Sequence, residues 1–443
     1  MATLTDHSVG ATATEAAPTL LTPPPRPLGL ADQTSLWANL GITLTLPVAA
    51  AFVLAPAGVP ALSLTAALTA AVVGSVVGST VLGLAAVPGA QTGAPAMVLL
   101  RGLFGRRGSS LPTVLNIAQC VGWATVEVVI MADSAARLTG GHLRWLYVVL
   151  AGILATGLAL RPLGLVRTLR RYAVWLVLLA SAYLFIQVLR HGVPRLGTGS
   201  WAGFWPAADV VIAVAVSWAP LASDYSRHSR SARAAFSGAL VGFATASTAY
   251  FALGLFALDT IVGRNGDVLG ALLAVPAGGV ALAILVLDEL DEAFANVYST
   301  AVSVQNLRAG LDRRVLAVAV GATAVVLGLL VDVVAYESFL YLIGSVFVPL
   351  FGVVIADYFV VRRGRWDLSE TAQARWPMVA PWALGFVTYQ LINPGGVGWW
   401  SAVWLHLRSS LHLAPQQWMS ASLLSFAVAA GVTLLVGPLA ARR

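Results

Sequence analysis

Charge is scarce in this sequence. Of its 443 residues only 10% are Asp, Glu, Lys or Arg, against roughly a quarter in soluble domains. Residues 33–100, 234–258, 376–407 and 409–441 contain none. A water-facing surface cannot be covered so sparsely, which excludes a soluble enzyme, a nucleic-acid binder and a disordered chain as the main reading. Lysine is absent, so all 26 basic residues are Arg. Cysteine is reduced to Cys120, inside an apolar segment, so no internal disulfide braces the fold. No His/Cys grouping has metal-ligand spacing, and no phosphate loop or nucleophile elbow is found.

Apolar length is plentiful. The chain is 58% hydrophobic, and about 20 such residues span a bilayer as a helix. Twelve apolar segments lie between Arg-bearing loops, near 35–55, 59–84, 111–138, 143–160, 166–190, 207–223, 232–258, 278–306, 313–331, 335–361, 377–393 and 419–438. The pattern predicts an all-α polytopic membrane protein. With the N-terminus in the cytoplasm, only Arg137, Arg144, Arg190, Arg195, Arg264 and Arg408 fall outside. That bias puts both termini inside. Trp201, Trp205, Trp399, Trp400 and Trp404 then cluster at the outer interface. Residues 1–30, rich in Ala, Thr and Pro, read as a disordered cytoplasmic tail.

Spans 1 and 6 each carry helix breakers, Gly41 and Pro47 in one and Pro220 after Ser217-Trp218-Ala219 in the other. Interrupted spans in corresponding positions of two halves point to a secondary transporter with its site at the midplane. Gly and Pro are also simply frequent in membrane helices.

Polar groups at mid-depth are costly and mark function by default. In span 3, Gln119, Trp123 and Glu127 recur every four residues and share one helix face. An aromatic ring between an amide and a carboxylate suits a flat heterocycle. The alternative is a packed Trp with Glu127 paired to a neighbour. Span 8 carries Asp288, Glu289, Asp291 and Glu292, and the stripe Glu289, Glu292, Asn296 faces one way. Four carboxylates so close cannot all be ionised in a dry site. Asp291 and Glu292, nearer mid-span, read as functional. Asp288 and Glu289 read equally as solvated by an outer vestibule. Asp133 and Arg137 are spaced as an i, i+4 ion pair, and Asp357 stands just before Arg362 at an inner end.

Six stretches stand out: Ser35-Leu36-Trp37, Arg101-Gly102-Leu103-Phe104-Gly105, Leu115-Asn116-Ile117 with Gly122-Trp123, Trp218-Ala219-Pro220-Leu221-Ala222-Ser223-Asp224-Tyr225-Ser226-Arg227, Asn296-Val297-Tyr298-Ser299, and the run from Val348 to Tyr358. Together they resemble the nucleobase:cation symporter-1 family of purine and cytosine permeases. The resemblance covers about Ser35 to Leu368. Leu54-Ala55-Pro56-Ala57-Gly58 and the Trp218 stretch look most like the hydroxymethylpyrimidine transporter branch.

What the resemblance implies is a LeuT-like 5+5 inverted repeat, about 35–190 and 207–361, within a ten-helix core at 31–362. Spans 1 and 6 would be broken, and two peripheral helices would occupy 363–443. The implied activity is import of an aminopyrimidine across the plasma membrane by cation symport. A purine or hydantoin permease is the alternative, and a non-transporting receptor is the rival class. No enzyme is implied. By motif, Thr43, Trp123, Glu127, Trp218 and Asn296 match substrate-contacting positions, the two indoles sandwiching the base. Gln119, Ser217 and Glu292 complete the expected substrate set. The family's sodium site would use backbone carbonyls near Asn39 and Ile42. Its span-8 hydroxyl positions are Leu290 and Asp291 here, so Asp291 is expected to handle the coupling ion, H+ or Na+, with no other cofactor. The implied partners are a small pyrimidine or purine base and membrane lipid, with no nucleic acid.

Overall fold

The computed structural model describes residues 24–56, 59–160, 163–192, 194–197, 199–263, 266–330 and 336–441. The helices are α1 (Leu30–Asn39), α2 (Thr45–Leu54), α3 (Leu64–Thr92), α4 (Ala96–Gly108), α5 (Ser110–Leu138), α6 (Arg144–Leu160), α7 (Leu163–His191), α8 (Phe204–Ser217), α9 (Ala222–Ser226), α10 (Ala232–Ala257), α11 (Val268–Ala274), α12 (Gly278–Leu307), α13 (Arg313–Leu330), α14 (Tyr336–Ile355), α15 (Val379–Ile392), α16 (Gly398–Ser410) and α17 (Ala421–Ala441). Each expected span falls on one of them, with span 1 split into α1 and α2, and span 6 into α8 and α9. Among the described residues, seven helices or helix pairs have the length and apolarity to cross a membrane.

Span 2 ends about two helical turns later than its apolar pattern suggested. Ser63 caps α3 by accepting from the Ala66 N–H at 3.1 Å, and the left-handed Gly93 (φ 74°) closes it. No charge interrupts residues 33–100, so hydropathy carried no stop signal there. The short helices α4, α11 and α16 were not expected. In the expected disordered tail, residues 1–23 lie outside the described residues. The stretch just after them is held in place instead: the Leu28 N–H donates to the His228 carbonyl and the Arg230 N–H to the Leu28 carbonyl.

Packing follows two interchangeable halves. α1 packs on α10 and α3 on α8; α5 packs on α6 and α12 on α13; α5 also meets α13, and α12 meets α6. Exchanging span 1 with 6, 2 with 7, 3 with 8 and 4 with 9 maps these pairs onto themselves. α3 with α10, α5 with α12, and α6 with α13 lie across the pseudo-symmetry. α15 and α17 pack together and against α14.

Helices in lipid associate through close backbone approach and polar contacts. Both halves of span 1 lie on α10 at glycines. A Cβ on Gly242 would sit 2.4 Å from the Thr34 carbonyl oxygen, and one on Gly254 2.4 Å from that of Pro47.

Charged groups outside the core pair differently from their spacing. Asp133 accepts from Arg144 at 2.6 Å, and Arg137 pairs with Asp267 on the approach to α11. The i, i+4 spacing of Asp133 and Arg137 was outcompeted by partners brought in by the tertiary fold. Likewise Asp357 pairs with Arg375 at 2.9 Å, and not with Arg362, and it accepts from the Trp366 indole at 2.7 Å. Glu370 accepts from Arg101 at 2.7 Å and Arg106 at 2.9 Å. Arg106 foremost holds the Glu370 carboxyl below the usual range. In α8, buried Asp209 accepts from Ser420 Oγ and from the N–H groups of Ala421 and Ser422. It thereby satisfies the N-terminus of α17, where a carboxylate suits the helix dipole.

Gly242→Ala is expected to lower the melting temperature in detergent, because backbone must move to admit the methyl, at roughly 1–3 kcal/mol. Gly431→Ala, where an added Cβ meets nothing within 4 Å, is the control. Equal melting of the two variants would refute the close-approach argument.

Candidate substrate site

The site is built on the two helix breaks. Span 1 stops at Asn39 and resumes at Thr45. Between them the Gly41 N–H turns back to the Trp37 and Ala38 carbonyls, and the Ile42 N–H to the Asn39 carbonyl at 3.1 Å. The Leu44 N–H, at the start of α2, donates to Glu289 Oε1 on α12. Thr43 Oγ1 donates to Glu289 Oε2 at 3.1 Å and accepts from the Thr45 N–H at 3.1 Å. A carboxylate from span 8 therefore supplies the acceptor that the missing turn of helix would have supplied. Unwound backbone at this depth is tolerated only where protein or a cavity satisfies it.

Span 6 breaks at Trp218, followed by a single 3-10 turn over Ala219–Leu221. Here a carbonyl is left over, and an amide answers it. Gln119 Nε2 donates to the Ser217 carbonyl at 2.9 Å and to Asn116 Oδ1 at 3.1 Å. Ser217 Oγ donates to the Val214 carbonyl at 2.6 Å. Both breaks fall within the expected segments.

Three carboxyls converge between the breaks. Glu127 on α5 and Glu289 and Glu292 on α12 each place an oxygen within 4.8 Å of the others, and all three are buried. Both oxygens of Glu127 and Oε1 of Glu292 have no hydrogen-bond partner. None of the ion pairs described above involves these three. Three oxygen ligands could hold a cation, a grouping that spacing along the chain did not reveal because it joins two distant helices.

The two expected indoles sit in separate ring clusters. Trp123 is 7% exposed, meets Tyr336 and Phe339 edge-on at 5.8 and 5.6 Å, and leaves its indole N–H without a partner. Trp218, equally buried, meets Trp37 edge-on at 6.5 Å. Ring contacts thus tie Trp123 to span 10 and Trp218 to span 1. The buried Asn296 donates from Nδ2 to the Glu292 carbonyl at 3.2 Å. Asp291 is half-buried and stands outside the group of three carboxyls. Asn39 is half-buried and Ile42 buried, both at the span-1 break.

Two residues were missed. Glu289 had been balanced between function and a wet vestibule; it is 1% exposed and holds the span-1 break. Its i, i+3 relation to Glu292 was visible, but depth was not. Tyr336 opens α14 with a buried, unpartnered hydroxyl and rings at 5.8 Å from Trp123 and 6.0 Å from Phe52. One Tyr at the start of an apolar run gives no signal of that position.

Residues 32–379 match the model of a family described as permeases for cytosine/purines, uracil, thiamine and allantoin. The chain belongs to this family. It is a membrane transporter and not an enzyme. The cytosine permease of Escherichia coli K12 is 28% identical over 320 residues, 67% of this chain and 71% of that protein. The Arabidopsis thaliana purine-uracil permease NCS1 is 25% identical over 341 residues, 65% of this chain and 55% of that protein. Among solved structures, Mhp1, a nucleobase-cation-symport-1 transporter in a closed conformation with bromovinylhydantoin bound, aligns with a TM-score of 0.76 at 16% identity over 96% of both chains. MhsT in complex with L-phenylalanine aligns at 0.55 and 14% identity, over 93% of this chain and 97% of its own. These likenesses show the fold, a permease with the LeuT-like arrangement of two broken helices.

Glu289→Ala is expected to leave the Leu44 N–H and Thr43 hydroxyl unanswered at depth, costing about 1–3 kcal/mol. Glu289→Gln, which keeps one acceptor oxygen, should lose less. Thermal unfolding in detergent reads the difference, and an Ala variant as stable as wild type would remove Glu289 from the break.

Proposed function

We propose that this permease imports an amino-bearing pyrimidine, of the cytosine or hydroxymethylpyrimidine kind, by cation symport through alternating access. The observation that carries the reading is Glu127, one helical turn beyond Trp123 on the same face of α5, with both carboxyl oxygens buried and unanswered. An ionised carboxylate only accepts hydrogen bonds. It suits an exocyclic amine, as carboxylates suit the cytosine amine, and it repels the carbonyl oxygen that uracil or hydantoin would present. Trp123 and Trp218 offer faces for stacking, while Thr43, Gln119, Ser217, Glu292 and Asn296 surround the base from the two breaks, from α5 and from α12. The coupling ion, H+ or Na+, is assigned to the acidic stretch of α12, with Asp291 and the carbonyls of Asn39 and Ile42 as its nearest expected partners. The cytosine permease relative supports the substrate class.

Uptake of labelled cytosine into proteoliposomes, competed by uracil and by aminopyrimidines, tests this. Aminopyrimidines should outcompete uracil on wild type and lose that advantage in Glu127→Gln. Uracil competing as well as cytosine on wild type would refute selection by Glu127. Trp123→Ala should weaken base binding by about 1–3 kcal/mol, the usual worth of base–aromatic stacking, with expression intact. Unchanged affinity would move the stacking platform elsewhere.

A further inference from the structure

The donors and acceptors around the three buried carboxyls do not balance, and the imbalance has a sign. Glu289 is answered by the Leu44 N–H and the Thr43 hydroxyl at the N-terminus of α2, where a helix favours negative charge. Glu127 and Glu292 have no such answer. Both Glu127 oxygens and Glu292 Oε1 lack any donor, and so does Gln119 Oε1 two turns along α5. Among the described residues no Arg or His pairs with any of the three. The other charged groups on α12 nearby, Asp288 and Asp291, are also acidic. Nearby, the Trp123 indole N–H on α5 is unpartnered, and the buried Tyr336 hydroxyl on α14 lies within electrostatic range of all three carboxyls. These two are single donors and carry no charge.

A neutral amine donates hydrogen bonds but cancels no charge, and uncompensated carboxylates are not stable in a dry interior. An amidinium-type cation does both. In an aminopyrimidine protonated on the ring, positive charge spreads over a ring nitrogen and the exocyclic amine. Parallel N–H groups then match a carboxylate bidentately. Tyr336 and Trp123 remain to donate to the ring's acceptor atoms.

We propose that the transported species is bound as a planar, ring-protonated heterocyclic cation, its N–H groups on Glu127 and Glu292, of which one is ionised and the other keeps a proton, while Glu289 stays committed to the span-1 break. The substrate class is therefore amino-substituted N-heterocycles that exist as, or readily become, amidinium-like cations. The inference rests on the import reading above and adds the charge state of the cargo.

The test compares two ligands of one ring size and shape on the purified full-length protein by calorimetry. Slightly below neutral pH, 2-aminopyridine is mostly a cation whose ring N–H runs parallel to an exocyclic N–H, and aniline carries the same amine on a neutral ring. The expected result is at least tenfold tighter binding of 2-aminopyridine. That gap should collapse in Glu127→Gln and in Glu292→Gln and persist in Glu370→Gln at the surface. Equal affinities on wild type, or binding of neither ligand, overturn the proposal without recourse to any variant. Uptake of labelled cytosine, measured in parallel, separates this from the import reading. Cytosine accumulation without preference for the cation leaves the importer standing and removes the cationic cargo. Preference for 2-aminopyridine without uptake of any base removes the importer and keeps the cation site.

Discussion

The contact on which the rest depends is the reach of Glu289 from span 8 to the broken backbone of span 1. A helix interrupted at mid-membrane exposes N–H and C=O groups that no water can answer. Glu289 answers the N–H end through Leu44 and Thr43. The second break, in span 6, leaves a carbonyl at Ser217, and Gln119 answers it with an amide N–H. The chemistry is matched to polarity: acid at the positive start of α2, amide donor at the negative end of α8. Both answering residues come from the helix pair α5 and α12, which pack against each other. One helix pair thus holds both breaks open and lines the space between them.

That arrangement explains what could be read in the chain and what could not. Span count follows from hydropathy, a local signal; Gly41, Pro47 and Pro220 only suggested the two breaks, and the pairing of halves came with the family resemblance. The face Gln119–Trp123–Glu127 was equally legible, because periodicity fixes what shares a helix face. Glu289 and Tyr336 were not. Periodicity says which residues align but not how far each lies from water, and Glu289 sits where either answer was open. Asp133, Arg137 and Asp357 failed in the opposite way. Their neighbours in sequence offered plausible partners, and Arg144, Asp267 and Arg375 offered better ones in space.

The exclusive use of Arg as the basic residue has structural consequences. Arg375 reaches both Asp357 oxygens, at 3.2 and 2.9 Å, and the Gly102 carbonyl at 2.9 Å. Arg101 spans Glu370 and Asn306, each at 2.7 Å. A planar fork with five donors can hold several acceptors at once, which an ammonium does less well. These residues fasten α4, the end of α12 and the segment after α14 into one unit at the end of the bundle expected to face the cytoplasm. The loops are stapled to the core by charge, and the interior is left acidic and almost free of compensating cations.

The three carboxyls therefore do different work even though they lie within 4.8 Å of one another. Glu289 is spent on the fold: its oxygens are engaged by backbone and hydroxyl donors, and its negative charge faces a helix N-terminus. Glu127 and Glu292 are not spent, because among the described residues no donor reaches either Glu127 oxygen or Glu292 Oε1. A transport site needs such a reserve. A charge fully satisfied by the protein has nothing to gain from a ligand, whereas one left unsatisfied gains on every loading and loses it again on release. Glu289, which holds the break, and Glu292, which waits for cargo with Glu127 of α5, share one helix, α12, so loading of the site acts on the acceptor that Glu289 supplies to span 1. In this permease the charge balance of the site and the opening of the broken helix are a single electrostatic problem, solved anew each time the site fills.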